Sequence, residues 1–424
     1  DNFSIVSSNS RDNTLYAKQG DNITLMLGYS EPIAKPDVTI AGDNSSLHYI
    51  SNQDNSTWMV VYTAKSGDNG TLQYNFSSVD LAGNLGSAIT DANVGSQVSS
   101  LINSITLDTQ APALSRIHLQ SNNIYDQALA KVGDNITLSF DSSEALATPS
   151  ADLAGVTNLV AFDNSSNRTQ WLVSTQVNGS TPVDNVSFVF EISDLAGNKL
   201  SGISNTSDNT SVKVDLSKPM ISGISLLSSN DNGSWAKSGD NLTLGFTTSE
   251  TVQRPSVMLA GRSLQADNIS QDGKQWRLVH TVQSGDNGTV GLNFSVKDLA
   301  GNITDNITQD NASLITIDTQ RPALDNVTFV SSNTFDPSFA KAGDNLTLRF
   351  STVSGESIQT PTVLIENQEI TAHLSGGFWK AVYPVTPSDN GSANYLIAYS
   401  DFAGNQGDNQ TGPVIAQQIT LDNT

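Results

Sequence analysis

A fourfold repeat with a period near 105 residues constrains this 424-residue chain more than any other feature. The glycine of an "AGN" turn falls at Gly83, Gly197, Gly301 and Gly404, spaced by 114, 104 and 103 residues. A "GDN" turn two residues after a lysine recurs at Gly20, Gly133, Gly239 and Gly343, spaced by 113, 106 and 104. Tryptophan recurs at Trp58, Trp171, Trp276 and Trp379, and an acidic segment before proline reads "LDTQAP" at Asp108, "VDLSKP" at Asp215 and "IDTQRP" at Asp318, returning shortened as "LDNT" at Asp422. Four markers sharing one period mean tandem copies of one structural unit. The copies run over 1–109, 110–216, 217–319 and 320–424.

Each copy reads as all-β. After every GDN turn comes an alternation such as Ile23-Leu25-Leu27, Ile136-Leu138-Phe140, Leu242-Leu244-Phe246 or Leu346-Leu348-Phe350. A second alternation precedes every AGN turn: Leu72-Tyr74-Phe76, Val186-Phe188-Phe190-Ile192, Val290-Leu292-Phe294-Val296 and Ala393-Tyr395-Ile397-Tyr399. Period-two runs of aliphatic and aromatic residues bounded by Gly, Asn and Asp predict strands with one buried face. About seven such strands per hundred residues predict an immunoglobulin-like sandwich. The fold class expected is therefore all-β: four tandem immunoglobulin-like β-sandwich domains in an elongated array.

Charge and composition exclude several functions. With 42 acidic against 20 basic residues, the net charge of −22 opposes nucleic acid and anionic membrane as partners, because phosphate binding needs clustered Lys and Arg. No apolar run reaches the roughly 18–20 residues of a spanning helix, so no membrane insertion is expected. The absence of cysteine removes disulfides, thiolate metal sites and cysteine nucleophiles. His48, His118, His280 and His373 do not share a repeat position and show no metal spacing, and no glycine-rich phosphate loop occurs. No enzymatic activity is expected. The "GDNITL" strand, the "SDLAGN" hairpin and the "LDTQAP" linker together resemble the tandem bacterial Ig-like repeats of very large surface adhesins. That resemblance covers essentially the whole chain. It implies a secreted or cell-surface, extracellular stalk or spacer, in an array that calcium ions can stiffen, with the ligand-binding tip elsewhere. The opening "DNFSIVSSN" matches "DNVTFVSSN" at 325–333, so neighbouring repeats of a longer array are expected partners.

Sandwich geometry places the domain entry, the loop after the second core strand and the AGN turn at one end. Three acids should therefore gather there: Asp108, Glu144 and Asp194 in the second copy, and Asp215, Glu250 and Asp298 in the third. In the fourth copy Asp318 and Asp401 occupy matching places, but Glu356 lies six residues after Phe350 rather than four and departs from the pattern. Clustered carboxylates repel unless a cation neutralises them, and calcium accepts six to eight such oxygens. The GDN and SGDNG aspartates of the preceding domain, such as Asp21 and Asp68, could add to the site. The competing reading is that the AGN aspartates only cap their own turns and the linker aspartates are polar punctuation.

Other repeated residues have simpler roles. The four repeated tryptophans are expected to face the core, whereas the unrepeated Trp235 is the better candidate for an exposed contact. Lys18, Lys131, Lys237 and Lys341 read as guards of a strand edge. A Lys–Asn crosslink fails because Val189 and Leu396 stand where Asn75 and Asn293 align. An alternative function is a ligand-binding adhesin module recognising a glycan or a host or cell-surface protein. The longer segment between Gly83 and Asp108 makes the first copy its leading suspect.

Overall fold

A computed structural model describes residues 2–12, 15–92, 104–308, 314–412 and 418–423. The chain divides into two compact units, 1–216 and 217–424, each holding two sandwiches. The described residues contain no α-helix, and among them no helix is long and apolar enough to cross a membrane.

The second sandwich shows the plan. One sheet orders Leu114–Ser121, Asn135–Ser142, Gln170–Gln176 and Phe162–Asp163, and the other orders Val156–Val160, Ser150–Leu153, Phe188–Ser193 and Lys199–Ile203. These orders are the A-B-E-D and C-F-G arrangement of an immunoglobulin-like sandwich, here with an added strand beside C. The A-B-E-D order recurs with Asn2–Ser7, Ile221–Ser228 and Leu324–Ser331 as leading strands. Each sandwich is thus immunoglobulin-like and antiparallel, with one exception. A short strand before each GDN turn pairs in parallel with the chain's exit, as Leu129–Ala130 does with Lys213–Val214.

That parallel pair revises the expected last strand. The segment after the AGN turn first forms a hairpin with the aromatic strand, Phe188–Ser193 against Lys199–Ile203, and only later reaches Lys213–Val214. The split lets the exit leave beside the GDN turn. It sets the linker aspartate, because the N–H of Asp215 donates to the Ala130 carbonyl at 2.8 Å. Equivalent bonds fix Asp108 to Ala17 at 2.9 Å and Asp318 to Ala236 at 2.9 Å.

Each sandwich has its own core. The alternating residues read from the sequence point inward, and their aromatic members meet across the two sheets. Phe140 stacks on Phe190 at 4.6 Å between centroids, and Phe246 meets Phe294 edge-on at 5.1 Å. Burying each such side chain stabilises the fold by roughly 1.5–3 kcal/mol. Trp58, Trp171 and Trp276 are buried, and Trp379 is partly buried. The indole N–H of Trp171 donates to the Arg168 carbonyl at 3.0 Å, satisfying the one polar atom that burial would otherwise strand.

Candidate metal centre

The AGN turn builds the floor of the site. Gly197 sits at φ 94°, a backbone conformation that side-chain-bearing residues rarely adopt. The turn leaves two amides pointing inward, and Asp194 satisfies both: its Oδ1 accepts from Gly197 N at 2.6 Å and Asn198 N at 2.9 Å. Its Oδ2 accepts from Asn198 Nδ2 at 2.8 Å. Asp298 repeats this with Gly301 and Asn302, and Asp401 with Asn405. All three aspartates are buried. Turn capping and metal binding do not exclude each other, since an ionised carboxylate offers about four acceptor sites and three donors leave room on Oδ2.

The glutamate arrives by strand register. Leu146 forms a bridge with Asp194, and Ala147 N donates to Ser193 O at 2.9 Å. Glu144 precedes that bridge by two residues. The same offset relates Glu31 to Ile33, Glu250 to Val252 and Glu356 to Ile358, whose bridges lead to Asp80, Asp298 and Asp401. This corrects the expectation for the fourth copy, since Glu356 is brought into the site. Its two extra residues are taken up in a short 3-10 turn, Val353–Gly355, on the far side of the bridge. A hydroxyl then returns the chain to the common path: Thr352 Oγ1 donates to Glu356 O at 2.5 Å, as Ser142 Oγ does to Glu144 O at 2.6 Å. The signal available in the sequence was glutamate, any residue, then an aliphatic: Glu31-Pro32-Ile33, Glu144-Ala145-Leu146, Glu250-Thr251-Val252, Glu356-Ser357-Ile358.

The linker aspartate closes the site. Asp108, Glu144 and Asp194 bring carboxylate oxygens within 4.8 Å of one another, and so do Asp318, Glu356 and Asp401. The Asn198 carboxamide ties the two ends together, donating to Asp108 O at 2.9 Å as well as to Asp194. Asn405 does the same for Asp318 O at 2.9 Å. Asp215 lies in the first unit at the strand exit described above. Glu250 and Asp298 lie in the second, where Thr248 Oγ1 donates to Glu250 O at 2.7 Å.

Burial raises the Glu144 pKa, with the Asp108 and Asp194 charges adding to it. Burial also raises Asp108, helped by Asp194, and raises Glu356, helped by Asp318 and Asp401. The charged forms are therefore under-compensated by the protein alone. A donor set made only of hard oxygens suits calcium or magnesium rather than a thiophilic metal.

The turns of the preceding sandwich contribute differently from expectation. Asp21 is held by its own turn, accepting from Lys18 N at 2.9 Å and Asn9 Nδ2 at 2.8 Å. Asp68 accepts from Lys65 N at 2.7 Å and the Tyr62 hydroxyl at 2.6 Å. Neither belongs to the acidic triad. The SGDNG turn instead pins the linker: Thr109 N donates to Asn69 Oδ1 at 2.9 Å, and Gly67 N to Thr109 Oγ1 at 3.0 Å. Thr319, Asn287 and Gly285 repeat that arrangement.

Two further expectations change. Trp235 is partly buried and stacks on Phe402 of the following sandwich, 6.3 Å between centroids and 23° between planes, so it is a packing residue. Lys237 is no edge guard: its Nζ donates to Gly404 O at 2.9 Å. Much of the long segment of the first copy, residues 93–103, lies outside the described residues.

No family model matches the chain, and no curated protein matches it. Among solved structures, it is similar to a Ca2+-stabilised adhesin that helps an Antarctic bacterium reach out and bind ice, at 17% identity over 99% of both chains with a TM-score of 0.41. It is also similar to the D1–D4 ectodomain fragment of ICAM-5, at 12% identity over 99% of this chain and 100% of the other, TM-score 0.34. Domains A168–A170 of titin match at 12% identity, covering 74% and 100%, TM-score 0.29. At these scores the likenesses say nothing of function.

Proposed function

We propose that this chain is a non-enzymatic spacer segment of an extracellular bacterial surface adhesin, built of four sandwiches at the bounds read from the repeat and rigidified by calcium at their junctions. One observation carries the reading. In two places, three carboxylates from separate segments, one of them on the linker leaving the preceding sandwich, offer oxygens within 4.8 Å of one another. Asp108 and Asp318 end one domain, while Glu144 with Asp194 and Glu356 with Asp401 belong to the next. An ion held by all three would tie consecutive domains together and remove the hinge freedom of the linker. The same residue types recur at Asp215, Glu250 and Asp298. Calcium would be held by these side chains, with loop carbonyls or water completing its shell.

Calorimetric titration of the chelated full chain with calcium, paired with small-angle scattering in calcium and in chelator, tests the proposal. Saturable binding together with a narrower range of interdomain poses in calcium is expected. No binding heat and identical scattering in both media would refute it.

A further inference from the structure

Beyond the acids, each unit carries a second set of contacts between its two sandwiches that involves no carboxylate of the triad. Asn9, in the first sandwich, is buried at 4% exposure. One hydrogen of its carboxamide goes to Asp21 Oδ2 at 2.8 Å and the other to Ala196 O, inside the AGN turn of the second sandwich, at 2.9 Å. Its Oδ1 accepts from Arg11 N at 2.9 Å, which fixes the amide's orientation. Arg11 reaches across as well, donating to Ser193 Oγ at 2.7 Å. The second unit repeats the device independently. Asn230 Nδ2 donates to Asp240 Oδ2 at 2.6 Å and to Ala403 O at 2.9 Å, and Lys237 and Trp235 contact Gly404 and Phe402.

We propose that Asn9 and Asn230 are positioning residues forming an ion-independent latch, so that the junction inside each unit holds its pose before the cation binds and presents a preformed site. The chemistry favours this. The carboxamide bonds join neutral or oppositely polarised groups and are buried at Asn9 and partly buried at Asn230, so water replaces them poorly. They end on Ala196 and Ala403, the middle of the turns whose neighbouring amides orient Asp194 and Asp401. The turn also lies close against these side chains: a Cβ on Gly197 would lie 3.3 Å from Arg11, and one on Gly404 3.1 Å from Lys237 Nζ. The local Asn–Asp pair also occurs in the second and fourth sandwiches, at Asn123–Asp134 and Asn333–Asp344. It is therefore a standing feature of the fold that aims the amide; at Asn9 and Asn230 the second amide hydrogen is what the following turn takes up. The preformed site rests on the calcium reading; the latch itself does not need it.

The test is hydrogen exchange on the full chain in chelator and in calcium, comparing wild type with the Asn9→Ala/Asn230→Ala double variant. In wild type, the Gly197, Asn198, Gly404 and Asn405 amides should stay protected in chelator. In the double variant they should exchange about tenfold faster there, the loss expected for one buried hydrogen bond, and calcium affinity should fall several-fold. Wild-type turns that lose protection as soon as chelator is added, or a double variant unchanged in chelator, would overturn the latch. Should the double variant misfold, Lys237→Met gives the same readout at Gly404 and Asn405 alone. A wild type that binds no calcium yet keeps its turns protected would retain the latch and sink the calcium reading.

Discussion

Glu144→Gln should change the sign of its effect with calcium. In chelator, Glu144 faces two like charges with no compensating cation. Were the charges 4.8 Å apart, each pair would repel by about 3.5 kcal/mol at an effective dielectric near 20. Solvent at the half-buried Glu144 and Asp108 screens most of that, leaving a relief on the order of 1 kcal/mol when the Glu144 charge is removed. For a domain of about 100 residues, that raises the melting temperature of the second sandwich by roughly 4–8 °C. In calcium the same change deletes a proposed ligand, and affinity should drop by on the order of tenfold, about 1.4 kcal/mol. The variant should then melt below wild type at limiting calcium. Differential scanning calorimetry of the full chain in both media reads both arms. Destabilisation of similar size in chelator and in calcium would show that Glu144 is an ordinary structural residue and that the electrostatic reasoning is wrong.

Asp194→Ala should instead destabilise in both media, by about 1–3 kcal/mol, because it strands the Gly197 and Asn198 amides as well as removing a ligand; thermal melts with and without chelator check this. The raised Glu144, Asp108 and Glu356 pKa values mean that, between the ordinary carboxylate pKa and the raised one, the folded chain binds more protons than the unfolded chain, so their ion-free contribution to stability falls as pH rises through that window. The stability of wild type relative to a Glu144→Gln/Glu356→Gln double variant should therefore decline from about pH 4 to pH 7 in chelator, as denaturant titrations would show. Phe140→Ala, emptying a fully buried position stacked on Phe190, should cost about 3–5 kcal/mol irrespective of calcium. Trp235→Ala should lose about 0.5–1.5 kcal/mol of ring stacking on Phe402, measured by the melting of the second unit.

Much of this molecule was legible in its sequence, because the signals concerned are local. Alternation at period two tells which face of Ile136-Leu138-Phe140 turns inward, and the AGN and GDN turns need their glycines and aspartates at fixed offsets whatever surrounds them. Repetition multiplied each weak signal by four. The meeting of Asp108, Glu144 and Asp194 followed from knowing which loops of a sandwich share an end. Tertiary structure decided what depends on pairing between distant segments. Counting from Phe350 misplaced Glu356, since the quantity held constant is its distance from the Ile358–Asp401 bridge, and a bridge is a relation between strands. Asp21 and Asp68 look as available as Asp194 in sequence, yet each folds back on its own turn, through Lys18 and Asn9 or Lys65 and Tyr62, and neither joins the acidic triad. Trp235, Lys237 and Asn9 became junction residues only because the next turn lies against them. Local stereochemistry is written residue by residue, whereas the company a side chain keeps across a domain boundary is set by the packing of two folded surfaces.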